Sequence, residues 1–443
     1  MDSDLGHFIP DGNQDYMNKF DIFKTPRLNQ ICEKSFESVY YPQIPITPTT
    51  KEIQIKVEPQ PHFIDLSNTY ITFDITILSS NLRKLAPISP TFKGVAFDQS
   101  IGSTIFRDID IKINNQSICG LRNTYYWVAY LQQILCFQED ARKSRLEEVG
   151  FYEDANPATT NFVTPSGSRT RALLTDESKK LSIKVPIYHG FFQISKALIP
   201  MTPLNFTFLL NDTLKVLKSE LTDRTFIYSI SDFKLFITKI KTIDQFQLNI
   251  ERQLSKQPAT YCFDHLKCTE FSLPQGLKQQ HFPDIFNSII QPQLAIFWFV
   301  DHSEAQGSIN TSIFNAKPFD LQEIYCRLEN EIYPSVPFDL DFTDTDYTNK
   351  YLRAYSQLLP GNMLEDSGIL IDEKKFAQNG FFFLLINFTP DQNGLFLQHI
   401  GNTFLHLTFK NQLPEAIKMY VFTKNPVCLK IDSNRQVERD YVL

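Results

Sequence analysis

The sequence lacks the short motifs that mark common catalytic and nucleotide-binding sites. It has no G-x-S-x-G nucleophile elbow, no H-E-x-x-H zinc motif and no G-x-x-x-x-G-K-[ST] phosphate loop. Its eight histidines are spread singly along the chain. The sequence therefore predicts a protein that is not an enzyme, and it assigns no catalytic, cofactor-binding or metal-binding residue.

Long apolar runs are also missing. The most apolar stretches, LAIFWFV at 294–300 and FFFLLI at 381–386, fall far short of the roughly 20 residues that a membrane helix needs. The start, MDSDLGHFIP, has neither the basic nor the apolar region of a signal peptide. We therefore expect no membrane span and a protein made inside the cell, in cytoplasm or nucleus, and not secreted.

Cysteine is scarce and widely scattered. An odd number of cysteines without a secretion signal predicts free thiols in a reducing compartment. The seven positions are Cys32, Cys119, Cys136, Cys262, Cys268, Cys326 and Cys428.

A basic surplus is absent as well. The formal net charge is -7, and residues 1–50 hold seven acids against four bases. Coating a nucleic acid requires a basic surface. We expect no sequence-specific nucleic-acid binding and no basic DNA-binding tail.

What the chain does have is a surplus of strand-forming aromatics, 39 Phe and 18 Tyr, with 25 Pro and only 15 Gly. Phe and Tyr favour β structure and bury large areas. The 443 residues exceed one ordinary core and suit two large β domains or three smaller ones.

The clearest single element is residues 63–77, FIDLSNTYITFDITI. From Ile71 onward apolar and polar residues alternate, so one face is apolar and the other wet. The pattern predicts a strand with Phe73 turned to the core and Asp74 turned outward.

Most other readable stretches repeat this design. An aromatic helix is predicted over 123–138 and a second helix over 243–257, where the period changes. Two polar stretches, 139–180 and 301–375, are predicted as long loops. We expect Trp127 and Trp298 to pack in the core. We expect 381–388 to be a central strand that is buried on both faces. The pattern indicates an all-β protein of sandwiches or jelly rolls. The predicted strands are 51–57, 63–77, 104–113, 181–187, 206–208, 233–239, 261–273, 291–300, 376–388, 403–409, 416–422 and 427–431.

Two groups have the residue types of metal ligands. Cys262, His265 and Cys268 form C-x2-H-x2-C, but a fourth ligand is missing and His265 has the opposite strand parity to both cysteines. Packed thiols are the favoured interpretation.

The second group is Asp339, Asp341, Asp344 and Asp346, which could hold Ca²⁺. The glycine and closing glutamate of an EF-hand are absent, so a solvated acidic loop is favoured.

The order of segments resembles a known family. FIDLSNTYITFDITI is followed by IGSTIFRDIDIKINNQSI, the aromatic helix NTYYWVAYLQQIL and a C-terminal VCLKIDSNRQVERDY. From about residue 63 to 443 the chain resembles the major capsid protein of Polinton (Maverick) elements and their adintovirus and virophage relatives. The helix and the segment YCFDHLKCTEF depart from the expected pattern.

The resemblance implies a double jelly roll, two eight-stranded sandwiches joined by a short helix. It implies an N-terminal arm at 1–50, rolls at 51–242 and 258–432, a linker helix at 243–257 and a C-terminal tail at 433–443. The implied function is a homotrimeric, pseudo-hexagonal capsomer that tiles an icosahedral shell. The implied location is the virion, and the implied partners are further copies and a single-jelly-roll penton protein.

One alternative remains open at this stage. A non-viral paired jelly-roll protein that binds or acts on carbohydrate would have a similar composition. It would show a concave cleft lined by aromatic and acidic residues, which a shell protein does not need.

Overall fold

The computed structural model of the protein describes residues 31–88, 94–118, 123–137, 139–142, 144–154, 156–158, 166–221, 225–288, 291–340, 350, 353, 371–378, 380–389 and 400–441. No helix among these residues is long and apolar enough to cross a membrane.

The described strands are β1 (Cys32–Tyr40), β2 (Glu52–Val57), β3 (Phe63–Ser79), β4 (Val95–Phe97), β5 (Phe106–Ile113), β6 (Gln116–Ser117), β7 (Leu181–Pro186), β8 (Leu204–Leu210), β9 (Leu217–Ser219), β10 (Phe226–Thr242), β11 (Ala259–Leu273), β12 (Gln279–Phe282), β13 (Leu294–Asp301), β14 (Leu321–Leu328), β15 (Glu331–Asp339), β16 (Leu384–Asn387), β17 (Thr403–Phe409), β18 (Ile417–Ile431) and β19 (Val437–Tyr441). The described helices are α1 (Ile101–Thr104), α2 (Tyr125–Cys136), α3 (Glu139–Arg142), α4 (Arg145–Glu148), α5 (Gly167–Leu174), α6 (Thr213–Val216), α7 (Asp244–Leu254), α8 (His302–Gln306) and α9 (Glu373–Gln378).

The strands form two sandwiches with the same nested pairing. In the first, sheet β1-β10-β3-β7 faces sheet β2-β8-β5-β6. In the second, sheet β11-β18-β13-β16 faces sheet β12-β17-β14-β15. In the first sandwich β1 pairs with β10 and in the second β11 pairs with β18, to which β19 adds a further strand, and the strands pair antiparallel. This is the topology of two jelly rolls, so the predicted fold is confirmed.

The alternating strand at the start of the first roll occupies the predicted place. Phe73 in β3 is 1% exposed and stacks on Phe233 of β10, with ring centroids 5.8 Å apart. On the opposite face Asp74 accepts a hydrogen bond from Ser182 and pairs with Lys180 at 3.2 Å. The apolar parity therefore faces the core, as the sequence predicts.

Helix α2 belongs in sequence to the first roll but packs into the second. Trp127 lies against Tyr420 of β18, with ring centroids 4.3 Å apart, and Tyr130 stacks on Phe314 at 3.8 Å. Nine of its twelve residues are buried, which accounts for its weak amphipathic pattern. Trp127 and Trp298 are both core residues, as predicted.

Strands β11 and β18 belong to the second roll, but part of each packs into the core of the first. They pair without interruption along the 15 residues of each strand. Tyr261, Phe263 and Leu429 lie in the core of the first roll, whereas Cys268 and Met419 lie in the core of the second. Each roll thus buries apolar side chains of the other, and we call this region the inter-roll junction.

Several predicted elements differ from the structure. The stretch 301–375 was predicted as a loop but contains β14 and β15, whose alternation is hidden by a register shift and two prolines. The predicted strand 376–388 begins as helix α9 and becomes strand only at Leu384. The described part of 1–50 includes β1, which pairs with β10.

The strands predicted at 416–422 and 427–431 are one strand, β18. Its Pro426 lies between the end of the β13 pairing at Lys424 and the start of the β19 pairing at Val427. Proline is tolerated where no ladder hydrogen bond is needed on that side.

The backbones of the two rolls approach closely at Gly190. A Cβ there would overlap the carbonyl oxygen of Asp264 on β11. The neighbouring Phe191 packs against Phe263 of the same strand, with ring centroids 5.6 Å apart. Only glycine lets these two chain segments approach so closely.

We expect Gly190→Ala to lower the free energy of unfolding by about 1–3 kcal/mol or more, because the added methyl forces the rolls apart. The matched control is Gly276→Ala, where nothing lies within 4 Å of the added Cβ and a positive φ of 79° is the sole strain. Urea denaturation of both variants measures the difference. A Gly190→Ala variant as stable as the wild type would contradict the close contact.

Candidate functional site

The first predicted metal group is not assembled. Cys262 forms a disulfide with Cys428, its direct cross-strand neighbour on β18. Cys268 is buried in the second core and His265 lies in a small cavity beside His189. A disulfide-bonded sulfur cannot ligate zinc as a thiolate, so C-x2-H-x2-C is not a metal site.

The same disulfide corrects the expectation of free thiols throughout. The partners are 166 residues apart in sequence, so their pairing was not readable from spacing. Cys32, Cys136, Cys268 and Cys326 form no disulfide with another described residue. Cys119 lies outside the described residues. The bridge lies in the part of the β11–β18 ladder that packs on the first roll.

The acidic group is mostly outside the described residues. Asp339 is exposed at the end of β15, and Asp341, Asp344 and Asp346 are not described. The Ca²⁺ hypothesis for this group therefore stays a prediction. Among the residues that are described, no group of three or more His, Cys, Asp or Glu side chains could hold a metal ion.

A buried polar network lies beneath the inter-roll junction. The Lys218 ammonium is 3.6 Å from the Asp98 carboxylate, and neither side chain is more than 2% exposed. Lys218 also donates to the carbonyl of Ser308 at 2.8 Å, while Asp98 accepts from the Ser312 hydroxyl at 2.7 Å. Burial lowers the pKa of Lys218, and Asp98 opposes that shift. The pair thereby fastens the first roll to the segment 308–312 of the second.

Arg171 in α5 is a second buried cation that pattern reading missed. It is fully buried inside the stretch 139–180, which was predicted as a polar loop. Its guanidinium donates to the Phe97 carbonyl at 2.6 Å and to the Asp154 carboxylate at 2.6 Å, as well as to the carbonyl of Tyr152. This excursion is therefore held to the body of the protein at least in part. The sequence feature that could have indicated this burial is an arginine among small residues, in a segment where apolar and polar residues do not alternate.

The C-terminal segment that carries much of the family resemblance also has a structural role. Arg435 donates to the Pro200 carbonyl of the first roll at 3.0 Å and to the Glu251 carboxylate of α7 at 2.6 Å. It lies in the loop between β18 and β19. The end of the chain is thus tied to the first roll and to the helix between the rolls.

One cleft of about 310 Å³ opens on the outer face of the first roll. It is lined by Tyr70, Phe137, Arg145 and Lys184 among others. Tyr70 stacks on Phe236 at 4.9 Å on the β10 side, and the Lys184 ammonium lies 4.4 Å from its ring centre on the β7 side.

Both ring faces of Tyr70 are therefore covered, and Arg145 lies over Phe137 at 5.8 Å. A carbohydrate stacks on an open aromatic face, which the Tyr70 ring does not offer. The cleft also mixes acids, Glu37 and Glu148, with the two bases. Its geometry does not favour the carbohydrate alternative.

Several exposed apolar side chains lie along strand β1 or on and near strands β15 and β17. A first-roll apolar group lies on or beside the edge strand β1 and consists of Ile31, Val39, Tyr41 and Ile44. A second-roll apolar group lies on or near β15 and β17 and consists of Ile332, Val336, Ile400 and Phe404. Edge strands and exposed apolar groups are typical contact regions between subunits.

Comparison with known proteins shows which solved structures share this fold. No protein-family model matches the chain. Over 365 residues the chain is 22% identical to an uncharacterized protein of Caenorhabditis elegans, covering 80% of this chain and 84% of that protein.

Three solved structures match almost the whole chain. A chain of the Sputnik virophage structure covers 96% of this chain and 92% of its own length, with a TM-score of 0.62 and 11% identity. VP54 of PBCV-1 covers 95% and 100%, with a TM-score of 0.57 and 12% identity. The mavirus major capsid protein covers 96% and 93%, with a TM-score of 0.55 and 9% identity. The chain has the double jelly-roll fold of these viral proteins.

We expect Lys218→Met to lower the free energy of unfolding by about 3–5 kcal/mol, because it leaves the buried Asp98 carboxylate without its cation. The matched control is Lys180→Met, which breaks the exposed ion pair with Asp74 and should cost less than about 1 kcal/mol.

Urea denaturation of each single variant and of the Asp98→Asn/Lys218→Met double variant completes a double-mutant cycle. The double variant should recover part of the loss. Equal costs for Lys218→Met and Lys180→Met would show that the buried pair does not fasten the junction.

Proposed function

We propose that the chain is a structural capsid protein whose copies build a shell. The observation that carries this proposal is the pair of jelly rolls with identical nested pairing in one chain, matched by viral capsid structures over about 95% of its length. The role is structural and not enzymatic, and the location is the virion after synthesis inside the host cell.

The shell unit we propose is a homotrimer. Two fused rolls give each subunit two of the six corners of a hexagon, and a closed three-fold ring repeats one heterologous interface. Such an interface needs two different surfaces on each subunit. The first-roll and second-roll apolar groups supply one exposed apolar surface on each roll. Trimers would then tile an icosahedral shell.

We further propose that the chain is a Polinton (Maverick)-type capsid protein, with a single-jelly-roll penton protein as partner at the five-fold corners. The support for this narrower assignment is the sequence resemblance over about 63–443 and the shared double jelly roll. In the proposed domain plan, α7 (Asp244–Leu254) serves as the linker between the rolls at 51–242 and 258–432. Within 1–50, strand β1 (Cys32–Tyr40) belongs to the first roll, so we assign the arm that contacts neighbouring subunits to the part of 1–50 outside β1, and 433–443 is a C-terminal tail.

Light scattering after size exclusion tests the trimer. At micromolar concentration the purified full chain should have three times the chain mass, and negative-stain images should show three-lobed or hexagonal particles. A strictly monomeric protein in both measurements would overturn the proposal.

We expect Phe404→Glu to shift the trimer toward monomer by at least tenfold in dissociation constant, because a charge would be buried in an apolar contact. Phe404 is 40% exposed on β17. The matched control is Leu248→Glu on α7, where Leu248 is 54% exposed outside both apolar groups. Equal trimer stability for both variants would exclude the second-roll apolar group from the interface.

A further inference from the structure

Two histidines from different strands meet on the outer face of the second roll. His281 of β12 lies directly opposite His406 of β17 in the strand register. Their Nδ1 atoms are 3.0 Å apart, and their ring centroids are 4.5 Å apart. Leu405 and Leu407, the chain neighbours of His406, are fully buried in the core. The histidine pair therefore faces away from the sandwich interior, and His281 is exposed.

Three neighbouring side chains hold the ring of His406 in one orientation. Tyr325 of β14 stacks on it, with ring centroids 4.7 Å apart and planes inclined by 26°. The Thr408 hydroxyl lies 3.0 Å from Nε2, and a Glu323 carboxylate oxygen lies 3.7 Å from the same nitrogen. These contacts leave His406 little rotational freedom.

The Thr408 hydroxyl can accept a hydrogen bond from Nε2 of His406, and the Glu323 carboxylate 3.7 Å away attracts a proton on that nitrogen. A metal site uses the tautomer with the proton on Nε2. The lone pair of Nδ1 then points to His281. Metal-binding histidines in proteins have this arrangement, with one nitrogen fixed by a carboxylate or hydroxyl and the other left to the ion.

We propose that His281 and His406 form a two-histidine site for a divalent transition-metal ion. Imidazole nitrogens bind such ions at about 2.0–2.1 Å. Two nitrogens 3.0 Å apart subtend an angle of about 91–97° at an ion placed at that distance.

That angle suits adjacent positions of a square-planar or octahedral ion, and so favours Ni²⁺ or Cu²⁺ over tetrahedral Zn²⁺. On binding, the Nδ1 proton of neutral His281 moves through solvent to its own Nε2, so that the Nδ1 lone pairs of both rings bind the ion. Its remaining positions face solvent on the side of the exposed His281 and take water. The site does not depend on the proposed shell function.

Calorimetric titration of the untagged, metal-free full chain with Ni²⁺ tests the site. We expect one ion per chain at micromolar concentration. His281→Gln should weaken this binding at least tenfold, because one of the two nitrogens is lost. His281 is exposed, so this variant keeps its fold, and circular dichroism verifies that.

The matched control is His302→Gln, which removes an imidazole from α8, outside the paired strands β12 and β17, and should leave the affinity unchanged. His406→Gln should abolish the same binding event. The proposal is overturned if the wild type binds no stoichiometric Ni²⁺ up to about millimolar concentration. It is also overturned if His281→Gln binds as tightly as the wild type.

Discussion

The reciprocal burial of apolar side chains at the inter-roll junction is the constraint on which the structure depends. Helix α2 leaves the first roll and places Trp127 and Tyr130 in the second core. Strands β11 and β18 place Phe263 and Leu429 in the first core. Neither roll completes its core alone, so the rolls behave as one cooperative body and not as domains joined by a flexible linker.

The exchanged apolar side chains hold the two rolls together. The relative position of the rolls is set by directional contacts, namely hydrogen bonds and a buried ion pair. The Asp98–Lys218 pair is expensive to bury and stabilises only when both charges keep all their partners. Its hydrogen bonds run to the carbonyl of Ser308 and from the hydroxyl of Ser312. A slide of one roll over the other would break these bonds and leave two buried charges unpaired. The disulfide between Cys262 and Cys428 locks the ladder that crosses the same boundary.

Sequence patterns predicted elements wherever one face of a strand is buried and the other is wet. β3 satisfied that condition from Ile71 onward, so both its position and the inward parity of Phe73 were correct. The condition fails for β15, which is half exposed on both faces and contains Pro334 and Pro337. It fails again for Arg171, whose carbonyl and carboxylate partners are set by tertiary folding.

Pairings between distant residues were equally beyond the reach of periodicity. His281 and His406 are 125 residues apart and meet only because β12 and β17 are neighbours in the jelly-roll order. Eight single histidines gave no signal of a pair. The register of strands, and not any local motif, decides which side chains share a surface.

A rigid junction has a consequence for assembly. Association costs free energy for every loop and side chain that must be ordered on binding. Here the two rolls already hold their relative positions through buried aromatic contacts and a buried ion pair. The exposed apolar groups of the first and second roll therefore keep a fixed spacing before any contact forms. In the proposed trimer, even a small interface can then fix the angle between neighbouring subunits. A closed ring requires one such angle, because subunits that flexed between their rolls would close rings of several sizes.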